Sequence, residues 1–297
     1  MLRSKNMPEL TAVQYMTENL AIWLKDNKIL SFSSCISKYQ HVQNFLSQPV
    51  DVIDVYRRGK NSVLVTNKGT LILGYNLSGN IFRTENKAHG KGKFMRGFFT
   101  LENGALLIFS DKINLAKIDI LEGITQRTKI ESVMSQKIGP EFWPQLPDGI
   151  WWKKTLFGKG HGKQSLYAAL KNQKKIAGIG NIIAIETLFR SRLSPTVKCM
   201  DLVDSEWSTL ATQIGFVIDL SMKQHRSLRH QEQSKTKDKY SFSGVLHLVS
   251  EGKHRADGYL IYGRVDEPCP QCKKEHIKKT KVGSQPLYWC PHCQKTS

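Results

Sequence analysis

The sequence predicts an α+β protein of several parts, and three observations lead to this fold class. A helix-period segment is followed by short strand-like segments, the chain then turns helical beyond a proline-rich joint, and two C-x2-C pairs close it. The 297 residues exceed one small domain, and 40% hydrophobic residues are enough for a buried core. We therefore expect an N-terminal β-sandwich or barrel with a first helix, a helical domain and a C-terminal zinc finger.

The N-terminal part begins with one helix. Apolar residues recur there at three- and four-residue steps, which predicts a helix within 9–25 with one buried face. The period then changes to two, and glycine- and asparagine-rich turns separate the segments. Strands are expected at 29–37, 50–56, 62–66, 70–75, 94–100 and 106–109.

The second part follows a turn-rich joint marked by Pro140, Pro144 and Pro147, which we interpret as the domain boundary. A short amphipathic helix is predicted over 165–175 and a second one over 181–189. A longer helix begins after Asp204 or Ser205, either of which can cap it. Residues 226–243 turn polar and basic, and we expect them to form a mobile loop.

Four cysteines at the end of the chain predict a metal site. Cys269 and Cys272 form one C-x2-C pair, and Cys290 and Cys293 form another after seventeen residues. This spacing is typical of one structural Zn²⁺ held by four thiolates, with no position open to water. A pair of disulfides is the alternative, which a reducing compartment disfavours. The lysine-rich segment between the pairs suits contact with phosphates.

The charge balance favours a polyanionic partner. The chain has 44 Lys and Arg against 25 Asp and Glu, a net charge of +19. DNA, RNA or an anionic membrane face would fit, although a surplus of lysines also serves solubility. No segment approaches the ~18 apolar residues of a membrane span, and no secretion signal is visible. We expect an intracellular protein of the cytoplasm, nucleoid or nucleus, acting as a monomer without a membrane partner.

A glycine-rich element precedes the second predicted helix. Gly178 and Gly180 stand directly before Asn181. Glycines allow close backbone approach, and a helix N-terminus offers free N–H groups to an anion, so a phosphate would fit there. A plain turn between two helices is the alternative reading.

Four sequence motifs, occurring together and in order, carry a family resemblance. They are MPEL at 7–10, RRGK at 57–60, GIGN at 178–181 followed by ETLF, and YGR at 262–264 leading into the cysteines. From Met7 onward the chain resembles the formamidopyrimidine-DNA glycosylase/endonuclease VIII (Fpg/Nei) family of base-excision repair enzymes. The resemblance implies a β-sandwich catalytic domain (7–137), a helix–two-turn–helix DNA-binding domain (148–243) and a zinc finger (260–297).

The resemblance also implies a mechanism, in which the enzyme flips a damaged base out of the duplex. Pro8 would be the nucleophile, because the secondary amine of an N-terminal proline attacks C1′ of the deoxyribose and forms a Schiff base. Glu9 would act as acid and base, and Lys60 would contact phosphate and assist elimination. Further DNA contacts are expected at Gly178, Gly180, Asn181, Lys163, Arg96, Leu77 and Gln285.

The sequence departs from the family pattern at several points. Pro8 follows seven residues, so its nitrogen is an amide unless the chain starts at Met7 and loses that methionine. Gln285 stands where the zinc-finger hairpin usually carries an arginine, and it has no charge. The acidic residue expected after the proline motif is absent from 11–13, and the arginine and aromatic residue that fill the gap of a flipped base are not evident in 110–115. Leu77 is the candidate wedge.

Each candidate also has an ordinary structural explanation. Pro8 and Glu9 suit the first turn of any helix, and Lys60 is a typical solvated turn residue. Asn181 could simply cap a helix, and Leu77 could belong to the core. The main hypothesis is a bifunctional DNA glycosylase and AP lyase. A relative that binds damaged or gapped DNA without excision is the alternative, and an RNA-binding zinc-ribbon protein is a third.

Overall fold

The computed structural model describes residues 8–85, 94–157, 162–235, 259–282 and 285–295. They divide into two compact units. The first contains the residues up to Gln136 together with 222–235, and the second contains residues 137–221 and 259–295. We describe each unit separately.

The first unit begins with helix α1, Leu10–Leu24. Val13, Met16 and Leu20 lie on its inner face and are fully buried, as their spacing predicts. The chain turns directly afterwards, where Asp26 has a positive φ of 57°. Two small helical elements follow the first strand: a 3-10 turn at Ser37–Tyr39 and helix α2, Gln40–Phe45.

Eight strands make one antiparallel sheet in the order β5-β7-β6-β1-β2-β3-β4-β8. The central strands alternate buried and exposed residues or are buried throughout, because α1 and the curved sheet enclose an aromatic and aliphatic core. Irregular register in β1, β2 and β6 bends the sheet. The strands are β1 Lys28–Ser33, β2 Val50–Arg58, β3 Asn61–Thr66, β4 Gly69–Gly74, β5 Gly79–Thr84, β6 Met95–Leu101, β7 Leu106–Asp111 and β8 Lys117–Glu122.

Helix α3, Arg127–Ser135, is the last helix of the first unit before Gln136. Residues 222–235 of a later helix also belong to the first unit. The second unit is helical. Its elements are α4 Gly149–Phe157, α5 Leu166–Lys171, α6 Asn181–Arg190, a 3-10 turn Cys199–Asp201 and the first part of α7 Asp204–Lys235.

The same unit ends in the two-stranded hairpin of β9, Lys278–Val282, and β10, Gln285–Trp289. All five residues of β9 are exposed, whereas Leu287 and Tyr288 of β10 are buried. The hairpin therefore has a lysine-rich outer strand and an apolar inner one.

The predicted α+β class is confirmed, and the element boundaries differ by more than two residues in three places. The predicted strand over 29–37 ends at Ser33, and the predicted helix over 165–175 ends at Lys171. Strands β5 and β8 were not predicted, although β8 alternates polar and apolar residues from Lys117 to Ile120. Residues 226–235 were expected in a loop but continue α7, so the helix extends well beyond the apolar stretch from which it was predicted. Residues 236–243 lie outside the described residues.

Among the described residues, no helix combines the length and the apolar character that crossing a lipid bilayer requires.

Candidate active site and phosphate-binding residues

Pro8 and Glu9 lie immediately before α1, and both are buried. Glu9 is the N-cap of the helix: its backbone is extended, and its carbonyl accepts a hydrogen bond from the N–H of Val13 at 2.9 Å. A carboxylate at this end of a helix is electrostatically favourable. Residues 1–7 lie outside the described part of the chain, and the roles of Pro8 and Glu9 stay predictions.

Lys60 occupies the two-residue turn between β2 and β3. Gly59 takes the first turn position with a φ of 61°, which favours glycine, and Arg58 pairs with Asn61 across the turn. The guanidinium of Arg57 donates from Nη1 to the Gly59 carbonyl at 2.8 Å. The geometry fixes the backbone that presents the half-buried Lys60.

The same Arg57 connects this turn to α1. Its Nε donates to Oε1 of Gln14 at 3.1 Å, and Gln14 lies about one turn after the beginning of the helix. The turn that carries Lys60 and the helix that starts after Glu9 are therefore joined through one buried arginine.

Arg58 has a different partner. Its Nε lies 2.8 Å from Oε2 of Glu131 on α3, and its side chain is 4% exposed. Burial of an unpaired guanidinium would be costly, so the pair stabilises this corner of the unit. The two arginines that mark the sequence motif both serve to hold the Lys60 turn.

A chain of buried hydroxyl groups lies beneath these residues, and sequence reasoning did not find it. The hydroxyl oxygens of Thr17 on α1 and Ser62 on β3 are 2.7 Å apart, and Ser62 lies 2.8 Å from the hydroxyl of Tyr75. Burial raises the pKa of Tyr75, so the phenol stays protonated. These hydroxyl–hydroxyl contacts connect α1 to β3, which follows Lys60, and to Tyr75, which lies just before the Leu77 turn.

The loop after β7 is organised by the carboxylate of Asp111. It accepts hydrogen bonds from the N–H of Ala116 at 2.6 Å and of Ile113 at 3.1 Å, and from the hydroxyl of Ser78. Burial acts to raise the pKa of Asp111, but these donors outweigh it and hold the pKa below its ordinary value. Ser78 belongs to the neighbouring turn, so one carboxylate fixes both segments.

This arrangement places two leucines on adjacent turns. Asn76 donates to the carbonyl of Leu115, which joins the Leu77 turn to the loop after β7. Leu77 is half-buried, whereas Leu115 is 49% exposed. Leu115 was not recognised as a candidate from the sequence, because one leucine in a segment that also contains Ile113 and Ala116 is too weak a pattern. In the structure, Asn114 before it has a positive φ of 58°.

Arg96 on β6 is turned toward the same loop. Its Nε donates to the carbonyl of Asp111 at 2.7 Å, and its own carbonyl accepts from the hydroxyl of Ser34. In the structure the Arg96 side chain connects β6 to the end of β7, and its phosphate contact stays a prediction.

In the second unit, the glycine-rich element is held by Gln173. Its Oε1 accepts from the N–H of Gly178 at 3.0 Å, and its Nε2 donates to the carbonyl of Ile179 at 2.7 Å. Gly178 has a φ of 105°, which disfavours other residues, and Gly180 is the N-cap of α6. The loop has a fixed conformation that ends at the helix N-terminus.

Asn181 is the first residue of α6. Its Nδ2 donates to the carbonyl of Pro286 on β10 at 2.8 Å, and its Oδ1 accepts from the hydroxyl of Tyr167 and from Nζ of Lys171 at 3.3 Å. The residue that the sequence predicted to bind phosphate thus also connects α6 to the hairpin. Gln285, at the beginning of β10, directly precedes Pro286 along the chain.

Lys163 is exposed and lies two residues before Ser165, the N-cap of α5. Within the part of the chain that the structure describes, no contact of its ammonium decides a role, so its phosphate contact stays a prediction.

The four predicted metal ligands come together. Their Sγ atoms all lie within 4.8 Å of one another, with 3.8 Å between Cys269 and Cys293 and 3.7 Å between Cys272 and Cys290. Tetrahedral Zn–S bonds of ~2.3 Å require sulfur–sulfur separations of ~3.8 Å, so the four thiolates fit one zinc ion. Burial acts to raise the pKa of Cys272, yet the N–H groups of Lys274 and Glu275 lower it to about 6, which favours the thiolate.

Two further buried side chains connect the described C-terminal residues 259–295 to α6 and to the residues just after it. Oε1 of Gln294 accepts from the N–H of Cys290 at 2.9 Å, and its Nε2 donates to the carbonyl of Leu193 at 2.9 Å. Glu186 is fully buried, and its carboxylate accepts N–H groups of Leu260, Ile261 and Tyr262, each at 2.9 Å. Burial raises the pKa of Glu186 although these donors oppose it. Glu186 is in the ETLF motif and Gln294 directly follows the fourth cysteine, but only their contacts reveal this use.

Comparison with known proteins finds three family models along the chain. The formamidopyrimidine-DNA glycosylase N-terminal domain matches residues 7–118, the formamidopyrimidine-DNA glycosylase H2TH domain matches 153–232, and the zinc finger found in FPG and IleRS matches 266–296. The predicted helix–two-turn–helix and zinc-finger parts, and the structural zinc, are therefore confirmed.

Curated relatives and solved structures agree with these matches. A formamidopyrimidine-DNA glycosylase of Hydrogenovibrio crunogenus is 30% identical over 82% of this chain and 79% of its own length. One of Streptococcus mutans is 26% identical over 97% of this chain and all of its own. The fold is shared with the Lactococcus lactis Fpg in its complex with abasic-site DNA, at a TM-score of 0.79 and 21% identity, covering 97% of this chain and 100% of that one. The chain belongs to the formamidopyrimidine-DNA glycosylase family.

Proposed function

We propose that this protein is a bifunctional DNA glycosylase and AP lyase of base-excision repair, with Pro8 as its nucleophile. The observation that carries the proposal is the connection through Arg57. It joins α1, which starts just after Pro8 and Glu9, to the Gly59–Lys60 turn. The three candidate catalytic residues thereby belong to one fixed part of the first unit. Family membership and relatives named for this activity support the same function.

The chemistry needs a free secondary amine at Pro8. Its lone pair attacks C1′ of the nucleotide while the bond from C1′ to the damaged base breaks, and opening of the sugar gives an iminium ion between Pro8 and C1′. Loss of a C2′ proton from this ion expels the 3′ phosphate, which is the β-elimination step. Hydrolysis of the remaining imine regenerates the amine. An amide nitrogen at the same position would have no available lone pair.

Glu9 and Lys60 have separate roles in this scheme. Glu9 donates a proton to the sugar or to the departing base and later accepts one, as a carboxyl group held beside the reacting atoms does. Lys60 contacts a phosphate with its ammonium, which favours expulsion of the phosphate in the elimination. The rigid turn made by Gly59 and Arg57 preorganises Lys60 for this contact.

The DNA-binding residues are proposed in both units. In the second unit, a phosphate would be bound by the N–H groups at the beginning of α6 and by Asn181, with Lys163 and Gln285 as further contacts. In the first unit, Arg96 would approach the backbone. Leu77 is the proposed wedge in the base stack, and the exposed Leu115 on the adjoining loop extends the same apolar surface.

The proposal also covers the oligomeric state, the location in the cell and the domains. The protein would act as a monomer inside the cell, where its substrate is found. Its working parts would be the predicted domains 7–137, 148–243 and 260–297, with the single Zn²⁺ stabilising the last of them.

Borohydride trapping on a duplex with an abasic site tests the proposal. Reduction converts the iminium ion into a stable protein–DNA adduct. A version of the chain that starts at Met7 and loses this methionine should trap, whereas one with a single extra residue before Pro8 should bind DNA equally well but not trap. Glu9→Gln should impair base removal more than cleavage of a preformed abasic site.

Two results would contradict the proposal. If the blocked chain traps as efficiently as the free one, Pro8 is not the nucleophile, and Lys60→Met would then test the next amine. If the Met7 version with a verified Pro8 terminus binds tightly without any adduct, the protein is a relative that binds damaged or gapped DNA without excision. The neutral Gln285 and the lack, in 110–115, of the arginine and aromatic residue that fill the gap of a flipped base favour that second function.

A further inference from the structure

One ammonium group lies among the residues at the beginning of α6. Nζ of Lys171, the last residue of α5, is 2.9 Å from the hydroxyl oxygen of Tyr167 and 3.3 Å from Oδ1 of Asn181. The same Nζ is 4.7 Å from the centroid of the Tyr167 ring, within the range of a cation–π contact. These three contacts hold a half-buried ammonium directly beside the first residue of α6.

Asn181 itself supplies little to an anion. An amide oxygen has two lone pairs, and Oδ1 accepts from both Tyr167 and Lys171. The amide nitrogen has two N–H groups, and one of them donates to the Pro286 carbonyl at 2.8 Å. Asn181 therefore offers one neutral N–H to a phosphate, and the formal charge has to come from another side chain.

The charge is not supplied by the hairpin residue that the family pattern suggests. Gln285 is neutral and precedes Pro286, which is joined to Lys171 through the two hydrogen bonds of Asn181. The ammonium also lies at the N-terminal end of α6, where the helix dipole favours an anion and opposes a cation. A phosphate bound here would remove this conflict.

We propose that Lys171 binds a DNA phosphate at the beginning of α6 and supplies there the positive charge that Gln285 lacks. The inference rests on the proposed function only for DNA binding and is independent of the role of Pro8. The competing explanation is purely structural: a lysine at the C-terminal end of α5 is favourable for that helix, and its ammonium could only support Asn181.

The salt dependence of binding separates these explanations. Affinity for a duplex with a stable abasic-site analogue is measured from 50 to 200 mM salt for the wild type, Lys171→Met and Lys171→Arg. Lys153→Met is the matched control, because Lys153 is another half-buried lysine of the same unit, and its ammonium pairs with Asp204 at 2.7 Å. Zinc content and the thermal midpoint verify folding. Lys171→Gln, which keeps a hydrogen-bond donor, replaces Lys171→Met if that variant does not fold.

Loss of one phosphate contact lowers the slope of log affinity against log salt by about 0.9 for duplex DNA. The affinity deficit of Lys171→Met should thus shrink about 3.5-fold between the two salt concentrations. Lys171→Arg should keep the wild-type slope, and Lys153→Met should change it by much less. A Lys171→Met slope equal to that of the wild type, with or without weaker binding, would overturn the proposal. Because trapping is not measured, failure of the Pro8 mechanism gives a different result.

Discussion

His225 should make the first unit less stable in mild acid. It lies in the part of α7 that belongs to this unit, is 5% exposed, and stacks on Tyr15 with ring centroids 5.9 Å apart. Burial lowers the pKa of His225 to about 4, because the charged imidazolium loses its hydration. An unfolded histidine has a pKa of about 6.5.

The sign follows from proton binding. Below pH ~6.5 the unfolded chain binds a proton at His225 that the folded chain does not, so stability falls as the pH falls. At about 1.4 kcal/mol per pKa unit, the loss is about 2 kcal/mol at pH 5 and about 3 kcal/mol at pH 4. Two other groups with shifted pKa values do not produce the same loss of stability. The lowered pKa of Asp111 places its effect on stability at more acidic pH, and the raised pKa of Glu186 makes the protein more stable, not less, as the pH falls.

The assay is hydrogen–deuterium exchange of the α1 amides in urea at pH 7 and pH 5, corrected for intrinsic exchange. His225→Phe is the comparison, because phenylalanine keeps a ring against Tyr15 and cannot titrate. The wild type should lose about 2 kcal/mol more than the variant between these pH values. Equal losses in the two proteins, or an NMR titration of His225 near pH 6.5, would refute the reasoning.

Four other substitutions test the two units. Cys290→Ser should release the zinc measured by metal analysis and abolish DNA binding, since one of four thiolates is lost; retention of one zinc per chain would contradict this. Gln294→Met leaves the Cys290 N–H and the Leu193 carbonyl without their buried partner, which should cost roughly 2–4 kcal/mol in chelator-challenge or thermal unfolding; an unchanged midpoint would count against it. Arg58→Met removes the ion pair with Glu131 and should destabilise the first unit by roughly 1–3 kcal/mol in urea; an unchanged free energy of unfolding would contradict this. Gln285→Arg should raise the ratio of δ- to β-elimination product on gels, because a guanidinium stabilises a leaving phosphate better; a constant ratio would exclude a role for residue 285 in that step.

The sequence by itself determined the parts of the molecule that depend on local spacing. The apolar period of α1, the two glycines before α6 and the C-x2-C pairs each define their element through neighbouring residues, so the helix, the loop and the metal ligands were predicted from the residues alone. The family was also predicted, because its motifs are short and contiguous.

Only the tertiary structure decided which side chains serve which partner. Arg57 and Arg58 are adjacent in sequence, but one joins the Lys60 turn to α1 and the other pairs with α3. Lys171 and Asn181 meet because α5 and α6 pack together, and the exposure of Leu115 depends on the contacts of Asp111 and Asn76. Such contacts join residues far apart along the chain, and their geometry follows from packing rather than from any local pattern.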